Sequence, residues 1–466
     1  MLRKIRIAAA AFFFVLTTLL FLDFTGTLHA WFGWMAKIQF LPALLALNVG
    51  VVAFLVILTL LFGRVYCSVI CPLGVMQDIV SWASGKRRKH RNRFAYSPAL
   101  TWLRRGMLVV FVAAMLAGVG SLLAPYSAYG RIASNLLAPV YAWGNNLLAY
   151  IAGRMDSYAF YSVDVWMKSL STLLVAVVTF AVLFVLAWRS GRTYCNTICP
   201  VGTVLGFLAR YSLFKPRFDT SKCNGCKLCA RNCKASCIDP AAHKIDYSRC
   251  VACMDCLENC RQGAITYTLR RRKPDPAPAP QRPAADAAKT PSDASRRRFL
   301  GLAGIVAYSA LRAQEKKVDG GLAVIVDKKI PNRATPVVPP GAQSLRHFNA
   351  HCTGCQLCVS VCPNQVLRPS GKLMTLMQPE MSFERGYCRP ECTKCAEVCP
   401  TGAIRLTDLA GKSSIQIGHA VWIAENCEVN TDGVSCNNCA RHCPAGAIKM
   451  VRRDPDDPKS PRIPAV

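Results

Sequence analysis

The residues that could do chemistry in this chain are cysteines, grouped at short and repeated intervals. Cys223, Cys226, Cys229 and Cys233 are followed by Cys250, Cys253, Cys256 and Cys260, each set spaced CxxCxxCxxxC. Further on stand Cys352, Cys355, Cys358 and Cys362, then Cys388, Cys392, Cys395 and Cys399 with a wider first gap, then Cys427, Cys436, Cys439 and Cys443 with a still wider one; proline follows the last cysteine of each of these three sets. Thiolates ligate soft metal centres. Tight triplets crowd too many sulfurs together for a disulfide framework, whose cysteines are irregularly spread through small secreted domains. Structural zinc wants two separated CxxC pairs closing one tetrahedron, whereas a triplet with a distant fourth sulfur suits an iron-sulfur cubane, a carrier of single electrons. Cys237 lies four residues past Cys233, whose trailing position is Lys234 instead of proline, so it is either a substitute ligand or a spare buried thiol.

The 223–260 segment resembles the two-cluster bacterial ferredoxins, in which three close thiolates wrap one cluster and the fourth ligates its neighbour. The resemblance implies that Cys223, Cys226, Cys229 and Cys260 hold one 4Fe-4S cluster, and Cys250, Cys253, Cys256 and Cys233 the other. The twelve thiols between 352 and 443 imply three more clusters, five in all. Spacing does not settle which fourth cysteine crosses where, but an odd number of sets requires one to close on itself or join a three-way exchange. TGAIRL at 401–406 and PAGAIKM at 444–450 echo RQGAITY at 261–267, so a short strand is expected after each cluster-binding turn.

A second kind of pattern is written twice: GRVYCSVICPLG at 63–74 and GRTYCNTICPVG at 191–202, each just after an apolar run. Cys67, Cys71, Cys195 and Cys199 then stand as a further metal or cluster site shared between two hairpins, as a redox-active thiol relay, or as inert cysteines at helix-terminating turns. The repetition itself favours two halves of one site at the cytoplasmic mouth of the spans.

The elements that must position these sets follow from composition. The chain has 466 residues, 52% hydrophobic, with a formal charge of +31 and 25 cysteines. So basic a chain suggests nucleic acid, but the Lys and Arg sit in blocks beside apolar runs, as orientation signals do, and no nucleic-acid partner is expected. Four stretches, about 7–22, 40–62, 106–124 and 169–188, are apolar enough for membrane helices and make a helical domain of two hairpins over 1–210. KRRKHRNR at 86–93 with Arg104 and Arg105 puts the loop between the second and third spans in the cytoplasm, and both repeated motifs at that face. The two-cluster module, an α+β ferredoxin-like domain at 211–270, is then cytoplasmic. A Pro/Ala-rich linker at 271–295 has little to bury. SRRRFLGLAGIVAYSAL, spanning the expected helix at 296–315, resembles a twin-arginine export signal or anchor; its alternative is an interfacial helix with a basic edge. A second α+β cluster domain at 316–452 would be periplasmic behind such a signal, and 453–466 reads as a disordered tail.

Residues 1 to about 270, with four spans, two CxxxCP motifs and a two-cluster module, resemble the NapH-type membrane ferredoxins, a group similar to the NosR-type and CcoG-type proteins. Residues 295–450 resemble the NapG-type exported polyferredoxins, with three cysteine sets where four are usual. The resemblance implies a multi-pass protein of the bacterial inner membrane that dehydrogenates quinol and passes electrons through clusters to a periplasmic reductase or cytochrome. A quinol pocket needs a proton acceptor; His29 and Asp23, near LHAWFGW after the first span, are the candidates, beside Trp31, Phe32 and Trp34, which a membrane-interface belt also explains. His351 adjoins Cys352 and reads either as a tuning group or as a surface histidine. Two other functions compete: assembly or regulation of a metalloenzyme, and metal-ion reduction. The absence of CxxCH excludes covalently held haem c.

Overall fold

The computed structural model describes residues 1–86, 93–117, 122–165, 167–269, 335–384, 386–418, 421–443 and 446–465; the expected linker at 271–295 and the arginine-led helix at 296–315 lie outside them. Two compact units divide the chain, Met1–Thr407 and Asp408–Val466.

In the first unit, α1 (Leu2–Leu22) leads through α2 (Thr27–Phe32), α3 (Trp34–Lys37) and α4 (Phe40–Leu45) to α5 (Val49–Phe62). The first repeated motif forms α6 (Val65–Val69) and opens α7 (Pro72–Gly85). Then come α8 (Thr101–Leu116), α9 (Pro125–Ile132), a π-helical turn at Ala133–Leu137, and α10 (Ala138–Arg154). After α11 (Leu170–Ser190), the second motif forms α12 (Thr193–Thr197) and opens α13 (Pro200–Ala209).

Two of the expected spans, α1 and α11, are 21 residues each and apolar enough to cross a membrane; at about 1.5 Å per residue each is ~31 Å long, the thickness of a hydrocarbon core. The expected span at 40–62 is broken instead. Leu47 takes a φ of +53°, and Asn48 Oδ1 accepts the Val51 N–H at 3.2 Å, which restarts the helix as α5. The third expected span begins at Thr101, so Arg104, counted above as a loop charge, is helical and buried. The stretch 125–154, which falls between the third and fourth expected spans, is helical throughout. Outward faces of these helices carry large exposed apolar side chains, among them Phe12, Val15, Phe54, Ile57, Val109 and Val178, as a lipid-facing surface requires.

The first cluster module pairs β1 (Phe214–Phe218) with β4 (Ile265–Leu269) in antiparallel register, Phe214 opposite Leu269. Between them lie α14 (Leu228–Arg231), a small ladder of β2 (Ile238–Asp239) and β3 (Lys244–Ile245), and α15 (Asp255–Asn259). This module docks where α1 begins and α11 ends: Arg3 Nε meets Asp255 Oδ1 at 2.8 Å, and Arg192 N–H donates to Lys234 O at 2.8 Å. The second module contains α16 (Leu345–His351), α17 (Leu357–Ser360), the antiparallel pair β5 (Leu367–Pro369) and β6 (Pro379–Met381), and α18 (Lys394–Glu397). It docks at the other ends of the same helices. Lys394 Nζ donates to Thr25 O at 3.2 Å, just past α1, and Lys168 Nζ to Val359 O at 3.4 Å, just before α11. The π-helical turn faces it too, with Asn135 Nδ2 donating to Gln356 Oε1 at 2.9 Å.

The second unit holds α19 (Leu409–Ser414), α20 (Glu428–Thr431) and α21 (Asn438–Arg441), followed by β7 (Lys449–Arg452) and β8 (Arg462–Ala465). The last residues are therefore not a disordered tail: β8 pairs antiparallel with β7, Lys449 opposite Ala465. The acidic run that reads as disorder closes local turns, with Asp454 Oδ1 accepting Asp456 N–H and Asp457 Oδ1 accepting Lys459 N–H. Strands follow RQGAITY and PAGAIKM as the echo suggests, but none follows TGAIRL, where Arg405 N–H instead bonds Gly341 O at 3.0 Å.

Candidate iron-sulfur centres

In the first module, one cavity is lined by Cys223, Cys226, Cys229 and Cys260, and a second by Cys233, Cys250, Cys253, Cys256 and also Cys237. The chain reaches these groupings through a repeated local shape. The residue after the second cysteine adopts the left-handed conformation in the three sets with standard spacing: Lys227 at φ 59°, Met254 at 63° and Gln356 at 66°. That single reversal turns a short helix back so that its cysteine joins the preceding two. In the wider-spaced sets the corresponding Thr393 and Asn437 have φ of −110° and −130°, so a different turn does the wrapping. The fourth thiol of several sets accepts a backbone N–H: Cys260 from Ala264, Cys362 from Val366, Cys399 from Ile404 and Cys443 from Ala447, at 3.2–3.4 Å. Such N–H···S bonds stabilise charge on sulfur and tune a cluster's potential. Thiols gathered round a cavity and backed by amides are the donor set a 4Fe-4S cluster needs.

Cys237 sits 3.5 Å from Cys233, sulfur to sulfur. Its hydrogen bond lowers the Cys233 thiol from its ordinary value, against the opposing effect of burial. Cys250 lines the same cavity, so the extra thiol shares it with two of the expected ligands.

Burial pushes the Cys352, Cys355 and Cys358 thiols up, Cys355 to about 12, and a neighbour adding to the rise in all three is Cys399. Cys399 therefore lies near enough to the first triplet to act on all three of its thiols. Burial lowers the Lys168 ammonium to about 8, opposed by the nearby Cys362 and Cys358 thiols. Cys427, Cys436, Cys439 and Cys443 all belong to the second unit.

The repeated motifs come together inside the helix bundle. Cys67, Cys71, Cys195 and Cys199 are 5–6% exposed, enclosed by helices and not open at a mouth. The glycines, arginines, cysteines and prolines of GRxYCxxxCPxG each have a visible job. Gly63 and Gly191 take φ of +74° and +67°, ending α5 and α11. Arg64 and Arg192, both 0% exposed, cross over: Arg64 Nη2 donates to Cys195 O at 3.2 Å, and Arg192 Nη1 to Cys67 O at 2.8 Å. Each guanidinium also approaches the first thiol of its own motif at 3.8 Å. Cys71 and Cys199 cap the helices that Pro72 and Pro200 begin, and Cys199 Sγ accepts the Gly202 N–H at 3.3 Å. Gly74 and Gly202 leave room for the crossing: a Cβ there would lie 2.3 Å from Cys67 O or 2.2 Å from Cys195 O. Burial raises Cys71 to about 12, helped by Cys67 and Cys195; burial likewise raises Cys199, helped by Cys195, Cys71 and Cys67. Among the described residues no three such side chains converge tightly enough to grip a single metal ion, in these motifs or in the ferredoxin sets.

Asp23 and His29 form a buried pair, Nδ1 to Oδ2 at 3.1 Å, with side chains 3% and 6% exposed. Burial opposes ionisation of Asp23, but bonds from His29, the Thr25 hydroxyl and the Gly26 N–H hold its carboxyl well below the ordinary range. His29 Nε2 is buried without a partner among the described residues. His351 stacks on His347 and its Nδ1 lies 2.9 Å from His347 O. Sequence reasoning missed Arg64, Arg192, Gln77, Asp78 and Arg131. The first two were visible as the repeated arginine of the motif; nothing local marked the others.

Residues 44–90 and 172–221 match the 4Fe-4S binding domain family, and 351–403 match the 4Fe-4S dicluster domain family. The first match takes in both repeated motifs and stops before Cys223. Among relatives, the methylamine utilization ferredoxin-type protein MauN of Paracoccus denitrificans is 28% identical over 172 residues, 37% of this chain and 48% of that protein. MauM of Methylophilus methylotrophus is 33% identical over 123 residues, 24% of this chain and 50% of its own. The ferredoxin-type protein NapH of Escherichia coli is 29% identical over 195 residues, 41% and 55%. The chain thus spans about half the length of these relatives. No solved structure matches it. With 4Fe-4S family matches over 44–90, 172–221 and 351–403, the chain is homologous to the NapH- and MauN-type ferredoxin-like iron-sulfur electron-transport proteins.

Proposed function

We propose that this chain is a multi-pass inner-membrane protein that draws electrons from quinol and delivers them to a periplasmic reductase or cytochrome. The observation that carries the reading is the docking of two cluster modules at opposite ends of the same two membrane-length helices, α1 and α11. The cysteines lining the two cavities of the first module, with Cys352, Cys355, Cys358 and Cys399 and the remaining sets, would hold five 4Fe-4S clusters, which supply one-electron carriage when bound.

Quinol oxidation releases two electrons and two protons, so a proton acceptor must stand where the ring binds. Asp23 holds His29 through Nδ1, which fixes the ring and leaves the buried Nε2 as acceptor. The pair lies just beyond α1, near Thr25, to which Lys394 of the second module is bonded. On this reading the protons leave at the same side as the second module. On this reading the chain is a fusion of a NapH-type with a NapG-type protein, carried outward by the arginine-led segment, in keeping with separate 4Fe-4S family matches at 44–90 with 172–221 and at 351–403.

The test is direct. Anaerobically purified full-length protein mixed with menaquinol should show cluster reduction by EPR, and His29→Gln should slow it about 100-fold without emptying any cluster. Fully loaded clusters that menaquinol leaves oxidised would refute the reading.

A further inference from the structure

We infer that Gln356, oriented by Asn135, and Lys168 are positioning residues that raise the reduction potential of the cluster held by Cys352, Cys355 and Cys358: the Gln356 amide donates a hydrogen bond to one of its sulfurs, and the Lys168 ammonium stands beside its ligands as a fixed positive charge. The inference rests on the iron-sulfur reading of this cysteine set and not on quinol as the electron source.

The amide is the first argument. Gln356 takes the left-handed position of the wrap, between Cys355 and Cys358, and is 2% exposed. Its orientation is fixed by a chain of hydrogen bonds that ends in the backbone. Asn135 Nδ2 donates to Arg131 O at 2.8 Å, and since a carbonyl only accepts, the atom Asn135 presents there must be its nitrogen. The same Nδ2 donates to Gln356 Oε1 at 2.9 Å, so Gln356 meets it with oxygen and keeps its own nitrogen for another partner. That nitrogen, Nε2, is buried with no acceptor among the described residues. Thr353 Oγ1, one residue past Cys352, is buried in the same condition. Unpaired buried donors are costly, and two of them on one cysteine wrap fit a sulfur-rich anion held by that wrap. The corresponding residues of the first module do not offer this: Met254 has no side-chain donor, and Lys227 is exposed.

Charge is the second. Lys168 Nζ donates to Val359 O, next to Cys358, and the ammonium makes no ion pair among the described residues. It lies close enough to Cys358 and Cys362 to act on both thiols.

Origin is the third. Asn135 belongs to the π-helical turn at Ala133–Leu137, and Lys168 precedes α11, so the holder of the amide and the positive charge both come from the membrane helices, while Gln356 and the ligands come from the second module. π-Helical turns concentrate at functional sites. Beside this one the two parts press together, a Cβ on Gly130 lying 2.4 Å from Cys355 O. Reduction adds a single electron, and an N–H donor and a cation both stabilise the more negative form, which raises the potential. No covalent bond is made, and no proton is transferred. The seat on Asn135 and Lys168 thereby makes the docked second module a better electron acceptor than the same module unseated.

The experiment is an EPR-monitored redox titration, with dithionite and chemical mediators, of full-length protein purified anaerobically in detergent. Loss of a signal in Cys355→Ser identifies this cluster. In Gln356→Leu, Asn135→Leu and Lys168→Met its midpoint should fall, the reduced-to-oxidised ratio at the wild-type midpoint dropping about tenfold for the loss of one such interaction. The other clusters should keep their midpoints, iron per chain should be unchanged, and Lys168→Arg should retain the wild-type value. ENDOR after exchange into D2O should show one exchangeable-proton coupling to this cluster in the wild type and in Lys168→Met that Gln356→Leu lacks. Unchanged midpoints in Gln356→Leu or Lys168→Met, identical couplings in wild type and Gln356→Leu, or an equal fall in every cluster would overturn the inference, as would a Cys355→Ser protein that loses no iron. Should Gln356→Leu fail to fold, Asn135→Leu leaves the amide and every ligand in place and decides by the same two readouts. Menaquinol that reduces no cluster would sink the quinol reading and leave these midpoints untouched.

Discussion

Gly74 and Gly202 show how tightly single positions are determined where the two motifs interlock. Neither has positive φ; what each needs is the absence of a side chain, because the carbonyl of its own motif's first cysteine and the guanidinium of the other motif's arginine occupy that space. Gly74→Ala should therefore cost about 1–3 kcal/mol, read as a lower unfolding temperature of the detergent-solubilised protein, while Gly85→Ala, with nothing near its Cβ, should leave it unchanged. Asp23 offers a pH-dependent case. Its carboxyl is depressed, so the stability it adds is fully present above the ordinary carboxylate pKa of about 4 and is lost as pH falls through the lower folded value. Wild type should exceed Asp23→Asn by about 1–3 kcal/mol from pH 5 to 7, and the gap should close only in stronger acid. A gap that closed near pH 6 would show that another group is responsible. At this scale the cysteines were legible because ligand spacing is a local property of a short wrap. Asp78 was not: its partners Arg6, Arg192 and Lys234 come from three distant parts of the chain.

Helices and turns were legible in proportion to how far local pattern decides them. The uniform apolar run at 40–62 hides its own break, since the reversal at Leu47 and the cap at Asn48 are written in backbone geometry that hydropathy does not see. The helical 125–154 stretch was obscured by its polar and small residues: Pro125–Ile132 is buried throughout, whereas Ala138–Arg154 buries none of its residues. The wrap of the standard cysteine sets yields a sharp expectation. Lys227 occupies the left-handed region, so Lys227→Gly should hold its cluster at least as well as wild type, whereas Lys227→Val, β-branched, should cost about 1–2 kcal/mol and shed iron faster on dilution with a chelator. The same pair at Thr393, whose φ is negative, should reverse or erase the order.

For the whole molecule, the docking of modules at opposite helix ends makes topology measurable. Alkaline phosphatase fused after Val466 should be active in cells and a cytoplasm-restricted reporter at the same point silent, with the reverse for fusions after Leu269. Asp78 links the bundle to the first module through Lys234, so Asp78→Asn should destabilise by about 3–5 kcal/mol, the cost of leaving buried cations short of a partner, and should expose the 211–269 segment to protease. The charge excess of the chain hinted at membrane orientation, yet much of the basic character near the thiols is internal. Arg64, Arg104 and Arg192 are buried and would have been counted as surface signals from sequence alone.

The exchange of arginines between the motifs also orders biosynthesis. A nascent chain that has completed α7 possesses one incomplete half, with Arg64 waiting for carbonyls that the ribosome has yet to make. The crossing closes only after translation passes Gly202, so the first half must persist with its guanidinium short of those partners until its twin arrives.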